Sequence, residues 1–189
     1  MDVNDLKGLF AEVAKRMDVA LQHVKHELAG VRTGRASTAL LDHVHVEAYG
    51  SKMPLNQIAG LSVPEPTLIV VQPFDPTLLG AVERAIRISD LGLNPSNDGK
   101  VIRVPIPSLT DERRKELSRH VHKLAEEGRN TVRGVRRDAN DRLKKFLKDA
   151  EISEDDERRG LEEVQKITDQ HVKLIDDAQK KKDVDLLGH

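Results

Sequence analysis

Arg129-Asn-Thr-Val-Arg133-Gly-Val-Arg136-Arg137-Asp-Ala-Asn140, in the C-terminal half of a 189-residue chain, decides how that half must fold. At about 100° per residue, Arg129, Arg133, Arg136 and Asn140 share one stripe, with Arg137 at its edge. Val121, Val132, Val135, Ala139 and Phe146 share another. One face is therefore committed to a core, and the other offers planar guanidinium forks suited to gripping phosphate bidentately. Lys115, Arg119, His122 and Lys144 project to the basic side, with Glu126 the only acid among them. On a chain of net charge −1, such a stripe points to a local polyanion contact. A solvated helix face is the competing reading.

Outward from this stretch the helical pattern runs from Thr110, a predicted N-cap followed by Asp111 and Glu112, to about Ala150. Leu117, Val121, Leu124, Val132, Val135, Ala139 and Leu143 form its apolar side. At 1.5 Å per residue it spans roughly 60 Å. Gly128 falls on the apolar face, where it permits close approach of another helix; Gly134 is a mild weak point. A further helix starts at Ser153, a predicted cap, with Glu154, Asp155, Asp156 and Glu157 complementing its dipole. Its seam is Leu161, Val164, Thr168, His171, Ile175 and Ala178. The N-terminal flank repeats the pattern with Leu6, Phe10, Val13, Met17, Ala20, Val24, Leu28 and Val31, and Gly34 is the expected C-terminal cap. Three matching seams predict an elongated antiparallel three-helix bundle. The short connection at Glu151-Ile152 favours packing within one chain, hence a monomer. A coiled-coil scaffold needing a second chain is the alternative.

The middle differs in kind. All eight prolines lie between Pro54 and Pro107. Residues 32–108 carry 14 charges in 77 positions, against 49 in the other 112, which marks an inserted module. The predicted domains are thus 1–31 with 109–189, and 32–108. Within the insert, Val44–Tyr49, Thr67–Gln72 and Lys100–Val104 read as strands. A helix capped by Asp75, with Pro76 in its first position, presents Leu78, Leu79, Val82, Ala85 and Ile86. The result is a small β/α/β layer, making the chain α+β. Entry is by 32–37 and exit by 104–108. Gly34 is permissive there, while Pro105 and Pro107 fix φ, so bending is expected at Gly34 and Ile106.

Composition excludes several function classes. With no cysteine, disulfides, thiolate catalysis and cysteine zinc sites are out. Aromatics are 2%, too few for a base-stacking platform, so any bound RNA would be read by backbone and shape. There is no phosphate-binding Gly-rich loop, no Gly-x-Ser-x-Gly and no His-Glu-x-x-His. His43 and His45 make half a metal site without a third ligand, and His171 reads as a packed histidine. Neither an enzyme nor a cofactor nor a metal is expected. The acidic N-terminus lacks a signal-peptide layout and no apolar run approaches a membrane span, so the expected location is the cytoplasm.

These strings resemble the bacterial ribosome recycling factor family. The matching segments are Val31-Arg-Thr-Gly-Arg-Ala-Ser37, Asp90-Leu-Gly-Leu-Asn-Pro95, Ile102-Arg-Val-Pro-Ile-Pro107, Leu109-Thr-Asp-Glu-Arg-Arg114, Val132-Arg-Gly-Val-Arg-Arg-Asp-Ala-Asn140 and Ile152-Ser-Glu-Asp-Asp156. They span nearly the whole chain in the family's order. The resemblance implies an L-shaped molecule whose two domains are joined by hinge strands, here Arg32, Thr33, Gly34 and Arg35 with Val104, Pro105, Ile106 and Pro107. It implies binding to the large ribosomal subunit and, with elongation factor G and GTP, splitting of the post-termination ribosome. The family's rRNA-contacting arginines correspond to Arg133, Arg136 and Arg137; Arg129 joins them on helix geometry alone. In one departure, Gly134 stands where the family usually has Asn.

Overall fold

The computed structural model describes residues 4–187, which fall into two compact units. Met1–Val31 with Lys115–His189 make one, and Arg32–Arg114 the other.

The first unit is built from three helices: α1 (Leu6–Ala29), α4 (Asp111–Lys148, joining this unit at Lys115) and α5 (Glu154–Leu187). Side-chain bridges fix their directions. Ser118 reaches Asp183, Arg129 reaches Asp176 and Arg136 reaches Gln165, so α5 runs antiparallel to α4. Asp18 meets His171, and 25–29 line a groove with 174–185, so α1 runs parallel to α5. Most of the predicted seam positions are buried, while Leu6, Phe10, Leu124, Leu161 and Ala178 are half-buried, and the buried stripe of α1 is wider than predicted because Leu9 and Leu21 are buried as well. A seam of alternating threes and fours serves one partner. A helix packed against two neighbours needs a broader apolar arc.

The ends follow local chemistry. Thr110 Oγ1 accepts from the Arg113 amide at 3.2 Å. Ser153 and Asp156 cap each other reciprocally, Oγ accepting from the Asp156 amide at 3.1 Å and Oδ2 from the Ser153 amide at 3.2 Å. Between α4 and α5 the chain turns at Ala150, φ 55°, while the Glu151 amide donates back to the Phe146 carbonyl at 2.9 Å. This is the hydrogen-bond pattern that usually places glycine at the turn. One expected end moves: α1 stops at Ala29 with Gly30 as its cap, four residues before Gly34. Gly34 instead takes φ 78° in the following loop, its α-carbon packed on Leu109 too closely for a side chain to fit easily.

The second unit has more strands than its sequence announces. A hairpin pairs β1 (His45–Ala48) with β2 (Ser51–Pro54), and a one-turn helix α2 (Leu55–Ile58) follows. A four-stranded antiparallel sheet has the order β3-β4-β6-β5, from Ala59–Glu65, Leu68–Pro73, Ile102–Pro105 and Ser96–Asn97. β3 escapes periodicity because it lies at the sheet edge and carries Pro64 beside a register shift, where a proline costs no ladder bond. Asp75 caps as expected, accepting from the Thr77 amide at 2.9 Å, but Pro76–Leu78 form a 3-10 turn before α3 (Leu79–Ile88). Val82 and Ile86 of α3 close the core with Val46, Ile69, Val71 and Ile102.

Candidate nucleic-acid interface

The basic face of α4 can only exist because its other face is fully used. Val121, Ala125, Val132, Ala139 and Leu143 are all buried, which holds the helix in one rotational setting. Close contact sets the spacing. Gly128 lies so near Val24 of α1 that a β-carbon there would overlap the valine's methyl group, and Ile175 of α5 abuts the same point. Gly160 of α5 similarly packs on Leu143.

On the opposite face the four arginines are not equivalent. Arg129 is tied down. Its Nε donates to Glu126 at 2.8 Å and its Nη1 to Asp176 and Gln179 of α5 at 2.6 and 3.0 Å, leaving the side chain 15% exposed. Burial works against its charge, yet the bonds to Glu126 and Asp176 outweigh burial and keep it more firmly protonated than a free arginine. Arg133 is 44% exposed and shares the same carboxylate, Nη1 lying 3.1 Å from Glu126 and 3.2 Å from the Asn130 side-chain oxygen. The Glu126 carboxyl is held below its ordinary range first by its bond to Arg129 and then by that to Arg133. Arg136 meets a neutral partner, its Nη1 donating to Gln165 Oε1 of α5 at 3.1 Å. Arg137 is exposed and makes no side-chain bond among the described residues.

The basic stripe is therefore graded. Arg129 is a clamp between two helices, Arg133 is partly neutralised, and Arg136 and Arg137 meet no carboxylate among the described residues. Helix geometry placed Arg129 with the others, and the structure separates it. Glu126, three residues before Arg129, was legible as its partner. Asp176, Gln179 and Gln165 were not, since they arrive from another helix. His122 leaves the stripe too: its Nδ1 meets Gln179 at 2.8 Å and its Nε2 lies 3.3 Å from Asp183.

Other candidates resolve as structure. His171 is buried, with Nδ1 2.8 Å from the Ile167 carbonyl and Nε2 2.8 Å from Asp18, linking α5 to α1. His45 Nδ1 lies 3.0 Å from the His43 carbonyl. Among the described residues no three His, Asp or Glu side chains are grouped to hold a metal, and no helix is long and apolar enough to cross a membrane.

The connecting segments differ from each other. Arg32 Nη2 donates to the Pro107 carbonyl at 3.1 Å, so the entry and exit segments touch. Ala36 is anchored, its amide donating to the Pro66 carbonyl at 2.7 Å. Thr33, Gly34 and Arg35 lie between. On the exit side, Val104 and Pro105 are paired with Ile69 and Leu68 of β4, and the Ile106 amide donates to the Thr67 carbonyl at 2.7 Å. Ile106 is 4% exposed within the core of this unit. The strand register thus carries the ladder one residue past β6, to Ile106, where a bend is expected. Pro107 is the first exit residue outside it.

Known proteins supply the remaining findings. The family model described as "Ribosome recycling factor" matches residues 24–187. The chain is 53% identical over 186 residues to the ribosome-recycling factor of Rubrobacter xylanophilus, covering 98% of each. It is 50% identical over 183 residues to that of Chloroflexus aurantiacus, covering 97% of this chain and 99% of the relative. A solution structure of a ribosome recycling factor is similar with a TM-score of 0.81 at 43% identity, covering 99% and 100% of the two chains. A T. thermophilus ribosome recycling factor, from models that place it and E. coli elongation factor G on the E. coli post-termination complex, gives 0.69 at 50% identity, covering 98% and 100%.

Proposed function

The chain belongs to the ribosome recycling factor family, and on that premise we propose that its bundle binds the large ribosomal subunit through Arg133, Arg136 and Arg137. With elongation factor G and GTP the bound protein splits the post-termination ribosome into subunits, releasing mRNA and tRNA. The chain does no chemistry of its own; the energy comes from the partner's nucleotide. The reaction is carried out in the cytoplasm.

One observation carries the binding assignment: Arg136 and Arg137 stand on the outer face of α4 with no carboxylate bonded to them among the described residues. An uncompensated guanidinium beside a phosphate releases counterions on binding. Neutralising ~3 phosphates predicts that log affinity falls with log salt at a slope of roughly −2 to −3. Co-sedimentation with large subunits tests this. Arg136→Glu should abolish the pelleted fraction while helical circular dichroism is unchanged, since the residue lies off the apolar face. Full binding by Arg136→Glu would refute the assignment.

A further inference from the structure

Resting on that reading of the arginine face, we propose that Gln165 of α5 is a positioning residue for Arg136, holding its guanidinium in place for rRNA phosphate without neutralising it. Two bonds in series carry the inference. Arg136 Nη1 donates to Gln165 Oε1 at 3.1 Å, and Gln165 Nε2 donates to Asp169 Oδ1 at 2.8 Å, one turn further along α5.

The order of these groups matters. A carboxylate can only accept, so Asp169 selects the NH2 end of the amide and turns the carbonyl oxygen toward Arg136. The guanidinium then has a fixed acceptor that uses one of its five N–H groups and leaves four for a ligand. A long side chain ordered before binding loses less freedom when it binds.

The neutrality of the amide is the second half of the argument. Arg129 faces Glu126 and Asp176, and Arg133 faces Glu126; each must share its charge with a carboxylate. At Arg136 the charge of Asp169 is kept one side chain away, and a polar but uncharged group stands between. The guanidinium is oriented, yet its attraction for phosphate is undiminished. The two requirements usually conflict, because the strongest way to hold an arginine is an ion pair.

The test is large-subunit affinity across a salt series for Gln165→Ala, Gln165→Glu, Arg136→Ala and the Arg136→Ala/Gln165→Ala double variant. Gln165→Ala should bind about three- to tenfold more weakly with an unchanged salt slope, the charge being present but no longer ordered. Gln165→Glu should bind more weakly still, with a slope shallower by about one, because an ion pair now competes with one phosphate. In the Arg136→Ala background, Gln165→Ala should cause no further loss. A purely structural glutamine would instead weaken binding equally with and without Arg136, and that result overturns the proposal. So does wild-type affinity of Gln165→Ala when Arg136→Ala is defective. Wild-type affinity of Arg136→Ala itself overturns the arginine reading, and this inference with it.

Discussion

Arg129 and Arg136 sit two turns apart on one helix, but their surroundings assign them different work. Arg129 gives three of its bonds to other side chains, two of them on α5, so its loss should be felt in stability. Arg129→Met, which keeps the aliphatic stem, is expected to lower thermal stability by about 1–2 kcal/mol and leave the salt slope of subunit binding unchanged. A shallower slope would show that Arg129 meets phosphate. Glu126→Gln relieves Arg133 of its carboxylate and should tighten subunit binding at low salt, as read by the same titration. The second unit offers a pH-dependent residue. Asp98 accepts from the Val101 and Lys100 amides, both at 3.0 Å, and from Arg103 at 2.7 Å. The Val101 amide, then Arg103 and the Lys100 amide hold its pKa down at about 2. A depressed folded-state carboxylate stabilises fully above its unfolded value near 3.9, and the contribution fades as pH falls through the window from about 4 to 2. Asp98→Asn should therefore lower the unfolding midpoint at pH 7 and change it little at pH 2. Equal losses at both pH values would contradict this origin.

Two glycines of α4 make opposite predictions. Gly128 is pressed against Val24, whose branched side chain cannot swing aside, so Gly128→Ala should destabilise the bundle by about 1–3 kcal/mol. A β-carbon at Gly134 would meet nothing within 4 Å, and Gly134→Ala should stabilise by up to about 1 kcal/mol through helix propensity alone. Urea denaturation of both variants checks the pair; the same sign for both would mean the close helix contact is misplaced. The open space at Gly134 also leaves room for the β-carbon of the family's usual asparagine. A third substitution probes the α4–α5 turn. Ala150 holds φ 55°, a conformation that disfavours a β-carbon, and Ala150→Gly should gain a few tenths to 1 kcal/mol. Much of this was legible beforehand. The positions of Thr110, Ser153 and Asp75 as caps follow from oxygen side chains placed just before apolar periodicity. The end of α1 was not legible, because Gly30 and Gly34 both satisfy the same local rule; in the structure Gly30 is the cap and Gly34 takes φ 78° in the loop beyond.

At the scale of the whole molecule, the proposed function, in which this chain does no chemistry of its own, calls for a mechanical step, and we propose that force passes through the connecting segments. We propose Thr33, Gly34 and Arg35 with Pro107 as the compliant positions, since Ile106 is held by the sheet on one side of them and Ala36 on the other. Engineered cysteine pairs between the units, simple to place in a cysteine-free chain, should separate binding from function. Locked proteins should pellet with large subunits as well as the reduced form does, yet split ribosomes poorly with elongation factor G until a reductant is added. Full splitting by proteins locked at several different angles would reduce the hinge to a tether.

What the sequence determined by itself was whatever a single turn of helix or a single strand can express. The 3.6-residue period made three helices, and the crowding of every proline into 54–107 marked the insert. The sign of one stripe pointed to a polyanion contact. The tertiary structure decided which of those arginines are bonded to carboxylates. Asp176 stands 47 residues from Arg129, and Gln165 stands 29 from Arg136. No local rule brings them together. An arginine's charge is written in its side chain, but whether a carboxylate or an amide sits against it depends on how two helices are set in register, and that setting comes from packing at Gly128, Leu143 and Gly160.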